Sequence, residues 1–431
     1  MSLSRPALGW ALYDFAASAY ATSVATALLP AYFAAVVAPR GLEALGQDIP
    51  AVSLWGYASS LAAVLVFLLA PVVGATADAA GRRGRFLACC VLVGGAAVLG
   101  LGGVGPGDAL RALGLFVLAH VAYNVGNALY DAYLPDLAAM EPTSGGGGRS
   151  GRDRLSSLGY AFGYAGGGLN LALCLGLVAG SGQLGLTQEA GVRLGMVLAG
   201  LWWLGAGLFS VAGLPSPATR RPWPGFVAAA RRGVADTLAA GRTVLARRGA
   251  RRFLLAFFLY NDGVQTVISM AVIFGKEELG LSDTALLLTL LGIQAIALAG
   301  AVGFGRLAGA VGTKAALMLA LAVWTGAALY GRTIAGATDY YILGAVIGVA
   351  LGGSQALSRS LFSGVIPRGE SAVYFGFYAV LARLSAVFGP LLFAVVRQMT
   401  GSSRPAVLAL SVLFLAGMAV LAGLKPEDAH A

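Results

Sequence analysis

Twelve apolar runs, each long enough to cross a bilayer, follow one another so closely that no folded soluble domain fits between them. Crossing the hydrocarbon takes about 20 mostly apolar residues in a helix. The runs fall at roughly 10–38, 52–77, 86–105, 110–138, 156–180, 191–213, 253–275, 283–310, 315–334, 339–366, 372–396 and 405–424. Because a backbone in lipid must satisfy its own polar groups, an all-α polytopic membrane protein of twelve transmembrane helices is expected. The mean hydropathy of +0.80 and the 11% of charged residues agree with this. The first run carries Asp14 and continues past Pro30 to Val37, so it reads as a retained span and not a cleaved signal. Cys89, Cys90 and Cys174 all lie in expected spans, with neither a disulfide framework nor metal-ligand spacing. No metal and no other cofactor is implied.

Orientation follows from where lysine and arginine fall near the span ends. With both termini cytoplasmic, the inner side holds about 20 of the 29 basic residues, among them Arg5, Arg82, Arg83, Arg85, Arg149, Arg152, Arg154, the arginines from Arg220 to Arg252, Arg306, Lys314, Arg368 and Lys425. The net charge of +10 is this bias and contact with anionic lipid headgroups, not nucleic-acid binding. The expected place is the inner membrane of a bacterium, multi-pass.

Against this apolar background the polar residues stand out. Leu259-Tyr260-Asn261-Asp262-Gly263-Val264-Gln265-Thr266 interrupts span seven. A carboxylate at the centre of a membrane helix costs about 2.5–3.5 kcal/mol on insertion scales, so Asp262 is expected to face a partner or a wet cavity. Asn261, Gln265 and Ser269 share a helical face beside it; a polar helix contact without a substrate role is the bland alternative. Span one carries Asp14, Ser18, Thr22 and Thr26 at steps of four, with a kink expected at Pro30. Span four carries His120, Asn124, Asn127 and Asp131 on one face, although His120 alone also reads as a packing residue. Span five opens with glycines at close spacing, suited to tight approach, after a loop at Ser144–Gly148 expected to be flexible.

The segment 214–252 is rich in proline and arginine and divides the chain into six-span bundles at 1–213 and 253–431. Within it Val227, Ala230, Val234, Leu238 and Leu245 recur at helical spacing opposite Arg232, Asp236 and Arg247, which reads as an amphipathic helix on the inner leaflet. The halves repeat: Gly74, Gly81 and Arg83 recur 231 positions on as Gly305, Gly312 and Lys314, while Gly309 replaces Asp78. Pro367 follows Pro135 by 232 positions, and offsets of 231 to 232 set the span-four ladder on Gly352, Gln355, Arg359 and Ser363 of span ten. Internal repeats of this kind mark transporter architecture.

Gly74-x-x-x-Asp78-x-x-Gly81-Arg82-Arg83 between spans two and three resembles the gating motif of the major facilitator superfamily. Trp10-Ala11-Leu12-Tyr13-Asp14-Phe15, Leu259-Tyr260-Asn261-Asp262-Gly263, Gly352-Gly353-Ser354-Gln355-Ala356-Leu357-Ser358-Arg359-Ser360 and Phe375-Gly376-Phe377-Tyr378 are similar to the bacterial branch of the vacuole-effluxer family, which includes autophagy-related vacuolar amino-acid effluxers. The resemblance implies a cavity lined by spans one, four, seven and ten, halves that rock to alternate access, a latch made by Asp78 and its arginines, and a monomer. Span five lacks the proline of the antiporter motif, so drug–proton antiport is not supported.

A small polar or zwitterionic solute, an amino acid or short peptide by resemblance, needs a cation for its carboxylate and an anion for its ammonium. Arg383 and Arg359 are candidates for the first, with an ion pair inside their own half as the alternative for each; Asp262 is the candidate for the second and for carrying a proton. Asn261, Gln265, Gln355, Asn124, Asn127, His120 and Tyr378 complete the candidate substrate and proton site, while Asp14 and Asp131 read as gate or network residues. A uniporter, an exporter of another metabolite, and a non-transporting sensor acting through the connector remain open. No nucleophile–base pair or phosphate loop competes with these readings, so an enzyme is not expected.

Overall fold

Helices dominate the computed structural model, which describes residues 4–44, 47–140, 149–215, 226–366, 371–386 and 388–424. The loop Ser144–Gly148, Arg220, Arg221, Pro367, Arg368 and Lys425 lie outside the described residues. Twelve helices are long and apolar enough to cross a membrane: Arg5–Val37, Ser53–Ala80, Arg83–Leu101, Ala109–Met140, Gly151–Ala179, Gln188–Gly213, Arg248–Lys276, Thr284–Val311, Thr313–Gly331, Ala337–Val365, Ser371–Thr400 and Ser403–Ala422. These are spans one to twelve. A short antiparallel hairpin pairs Leu42–Ala44 with Gln47–Ile49 between spans one and two.

Local chemistry sets the span ends. The side chains of Thr187 and Ser282 accept from the amides of Ala190 and Ala285, each at 3.2 Å, and so cap spans six and eight. Gly81 (φ +60°) and Gly312 (φ +89°) turn the chain between spans two and three and between spans eight and nine. Both conformations penalise a side chain. The repeat visible in the sequence therefore has a backbone counterpart.

Spans four and twelve are interrupted briefly, between Asp131 and Leu134 and at Leu410, and spans one and eleven are irregular around a proline. Span one is α-helical over Arg5–Ala19, π-helical over Tyr20–Leu28, α-helical for one turn over Leu29–Tyr32 and π-helical again over Phe33–Val37. Pro30 sits in that single turn; without an N–H it cannot close the regular ladder, and wider turns take up the mismatch. Span eleven, expected as one run over 372–396, is two helices, Ser371–Leu384 and Phe388–Thr400. Pro390, in the first turn of the second helix, has no N–H for the Ala386 carbonyl and crowds it.

The chain forms two compact units, one of residues 1–130 and 162–234, the other of 131–161 and 235–431. In the first, Gly166 of span five lies so close to the Phe15 backbone of span one that a β-carbon would collide with it, and Gly94 and Gly95 of span three leave room for Trp203 and Leu204 of span six. In the second, Gly300 lies on the Val349 backbone and Gly352 on the Ala297 carbonyl, so spans eight and ten touch backbone to backbone. Such contact gains dispersion energy where lipid offers no hydrophobic drive.

The connector contains a helix, Phe226–Ala246. Its small residues make the contacts: Gly233 lies against Thr76 of span two, and Gly241 against Phe377 of span eleven. Val234 and Leu238 of the expected apolar stripe are exposed, at 46% and 63%. The side chains of Val227, Ala230, Arg232 and Leu245 lie outside the described residues.

Candidate functional site

Span seven meets span eleven at its break. Asn261 and Asp262 are both buried, at 6% and 1% exposure. Asn261 Nδ2 donates to Ser385 Oγ at 2.6 Å and to the Ala382 carbonyl at 3.3 Å, at the end of the first half of span eleven. The Asp262 carboxylate accepts from the backbone N–H of Gly389, at the start of the second half. Adjacent side chains on span seven thus satisfy a carbonyl and an amide that the break leaves without helical partners. Asp262 Oδ1 has no hydrogen-bond partner among the described residues. Gly389 is required for this approach, because a β-carbon there would run into Thr266 Oγ1. Gln265 Nε2 reaches Asn261 Oδ1 at 3.5 Å, and Ser269, exposed, continues the stripe. Arg383 is half-buried in the last turn before the break.

Arg359 belongs to a second cluster. Its Nη1 donates to Asp131 Oδ1 at 2.9 Å, its Nε to Ser156 Oγ at 3.0 Å and its Nη2 to the Ser156 carbonyl at 2.7 Å, while its guanidinium lies 4.1 Å from the centre of the Tyr160 ring. A fork held on three sides is the geometry guanidinium favours. Next to it, Asp153 Oδ1 accepts from Ser360 Oγ at 2.5 Å and Asp153 Oδ2 from Thr313 Oγ1 at 2.7 Å. Ser156 Oγ donates to the Ala356 carbonyl at 2.7 Å. The ends of spans four and five are thereby bonded to span ten and to the turn before span nine. Tyr378 stacks between Phe257 and Phe362, with centroids at 4.3 and 5.0 Å, and Tyr260 shares a 2.7 Å hydrogen bond with Ser358. Gln355 is half-buried on the same span as Arg359.

In the other unit, Tyr130 stacks on Trp10 and Tyr13 and donates to Asp14 Oδ2 at 3.3 Å. Trp10 Nε1 donates to the Tyr130 carbonyl at 2.9 Å. A β-carbon on Gly163 would sit 3.0 Å from both Asp14 Oδ1 and Ser18 Oγ, so the glycines of span five give span one its polar face at close range. His120 Nδ1 and Tyr20 Oη are 3.2 Å apart, and Asn124 Nδ2 donates to the His120 carbonyl at 2.7 Å. Asn127 is half-buried.

At the first glycine turn, Arg83 Nε and Asp78 Oδ1 pair at 2.5 Å, with side chains 12% and 7% exposed; Gly81 and Arg82 are half-buried, and Gly74 is buried one turn before Asp78. The second turn lacks an acid at Gly309, yet Thr313 binds Asp153 of span five, and Lys314 donates to the carbonyls of Ala422 and Leu424, each at 2.6 Å.

Asp153, Ser156, Tyr160 and Thr313 are site residues that the sequence pattern does not single out, and Ser360 stands out there only as the end of a motif. Asp153, a lone acid between Arg152 and Arg154 at the opening of span five, was the available signal.

Twelve membrane helices, repeated glycine turns, and buried polar clusters on spans one, four, seven and ten define a transporter of the major facilitator class, not an enzyme. A crystal structure of a major facilitator superfamily transporter, FucP, in the outward conformation has the same fold, with a TM-score of 0.71 over 97% of this chain and 98% of that one, at 13% identity. The chain belongs to the vacuole effluxer Atg22-like family, whose model matches residues 4–430. It is 28% identical over 424 residues to an uncharacterized MFS-type transporter, YxiO, of Bacillus subtilis, covering 97% of this chain and 94% of that protein. It is also 29% identical over 288 residues to autophagy-related protein 22-1 of Aspergillus niger, covering 61% of this chain and 45% of that protein; the chain spans under half the length of this fungal relative.

Proposed function

We propose that the chain is a secondary transporter that moves a small zwitterionic solute, an amino acid or short peptide, out of the cytoplasm by alternating access, with Asp262 loading and releasing a proton. The observation that carries this reading is Asp262 itself, a carboxylate 1% exposed inside a membrane helix with one oxygen unpartnered. A charge held in such a place is a functional feature by default. Arg383, half-buried in the last turn before the break, is the preferred partner for the solute carboxylate. Asn261, Gln265, Gln355, Tyr378, His120, Asn124 and Asn127 serve solute or proton binding, while Asp14, Asp131 and the Gly74–Arg83 turn serve gating. The bundles 1–213 and 253–431 act as the moving halves of a monomer, joined by 214–252. Both termini lie on the cytoplasmic side of a bacterial inner membrane, a reading supported by the bias of basic residues towards the turns on that side.

The test is flux in proteoliposomes holding the purified chain, with labelled amino acids and dipeptides, with and without a pH gradient. Uptake that follows the gradient and disappears in Asp262→Asn supports the reading. Flux indifferent to both makes the chain a uniporter, and no flux of any component removes the amino-acid assignment.

A further inference from the structure

Oxygens stand on both sides of the break in span eleven. On one side the Ala382 carbonyl accepts from Ser385 Oγ at 3.1 Å and from Asn261 Nδ2 at 3.3 Å, and Ser385 Oγ itself accepts from Asn261 Nδ2 at 2.6 Å. On the other stand the Asp262 carboxylate and Thr266 Oγ1, whose proton goes to the Asp262 carbonyl at 2.6 Å. Each hydroxyl has its hydrogen committed and keeps a lone pair that no hydrogen bond among the described residues uses. Asp262 Oδ1 is buried and unpartnered, and no ion pair among the described residues involves this side chain. A buried charge in that condition is costly unless a counter-ion joins it.

The chemistry of the set is uniform. Carboxylate, hydroxyl and carbonyl oxygens are hard ligands that suit alkali and alkaline-earth cations, and no soft sulfur or imidazole is among them. One formal negative charge matches a monovalent ion. We propose that a sodium ion binds at the break in span eleven, held by Asp262 with hydroxyl oxygens from Thr266 and Ser385. The proposal rests on the reading of Asp262 as the ion-binding carboxylate and adds a second occupant to it. Gln265, half-buried, and Ser269, exposed, extend the polar stripe along span seven and supply a path inward. Sodium and the proton then compete for one carboxylate. The other charges on span seven and on spans ten, eleven and twelve are Arg248, Arg251, Arg252, Lys276 and Glu277 at the ends of span seven, Asp339 and Arg359 on span ten, the latter tied to Asp131, Arg383 and Arg397 on span eleven, and Arg404 at the start of span twelve; the segment Ser411–Ala422 of span twelve contains none.

The experiment uses the full chain in nanodiscs of neutral lipid, with radiolabelled sodium binding and thermal unfolding read in sodium chloride against potassium and choline chloride. Sodium alone is expected to bind saturably and raise the unfolding midpoint. Acidification weakens its apparent affinity by up to about tenfold per pH unit. Ser385→Ala is expected to weaken sodium binding about tenfold or more, and Asp262→Asn to abolish it. Unfolding that is the same in all three salts overturns the proposal, as does sodium binding unchanged in Asp262→Asn. If that variant does not fold, Ser385→Ala and the salt comparison on the unaltered chain decide. Sodium binding without solute flux keeps the ion site and sinks the transport reading. Flux driven by a pH gradient without sodium binding does the reverse.

Discussion

Arg359 and Asp131 stand 228 residues apart in the sequence and 2.9 Å apart in the structure, with the guanidinium side chain 2% exposed. Removing one partner of such a pair strands the other in low dielectric, at about 3–5 kcal/mol. Asp131→Asn and Arg359→Met are each expected to lower thermal stability by that order. The double variant should lose less than the sum. Strict additivity in a double-mutant cycle, measured by unfolding in detergent, argues against coupling between them.

Gly389 packs its α-carbon against Thr266. Gly389→Ala is expected to destabilise by about 1–3 kcal/mol through overpacking. Thr266→Ala removes the colliding hydroxyl and should restore part of the loss in the double variant. A midpoint for Gly389→Ala equal to that of the unaltered chain contradicts the close approach of spans seven and eleven.

Gly166 faces backbone, which cannot rotate out of the way. Gly166→Ala is therefore expected to reduce folded yield and midpoint sharply. Gly309→Ala, with nothing within 4 Å of its added carbon, should leave the midpoint unchanged or raise it by up to about 1 kcal/mol of helix propensity. Fluorescence size-exclusion profiles of the two variants compare them directly.

Ser360→Ala and Thr313→Val each remove one hydrogen bond from the buried Asp153 carboxylate. A hydrogen bond to a charged group is worth about 1.5–3 kcal/mol, and substitution of both should be relieved by Asp153→Asn or Asp153→Leu. Stability of the double variant that does not respond to the change at Asp153 contradicts the network.

The spans and glycine turns were legible because lipid imposes one rule on every segment: length, apolarity and a satisfied backbone. Gly81 and Gly312 announced their turns by residue type. The polar stripe on span seven was legible for the same reason, since Asn261 and Asp262 stand out against apolar neighbours. Their partners were not, because the Ala382 carbonyl and the Gly389 amide are backbone groups that become available only once span eleven breaks. Pro390 carried that signal, seven positions after Arg383 in a run otherwise long enough to read as one span. Asp153 was missed for a different reason. It lies in a polar stretch that reads as loop, and its partners Thr313 and Ser360 are 160 and 207 positions away.

The halves of span eleven contain 14 and 13 residues, and neither alone reaches across the hydrocarbon. A ribosome delivering this segment hands the membrane two stubs whose facing ends carry bare amides and carbonyls, which lipid cannot solvate. Span seven, already made, holds the side chains that meet them. Assembly of this protein thus has an order written into it: span eleven settles only where Asn261 and Asp262 already wait, and a chain damaged at either residue is one that cellular quality control would meet as an unfinished insertion.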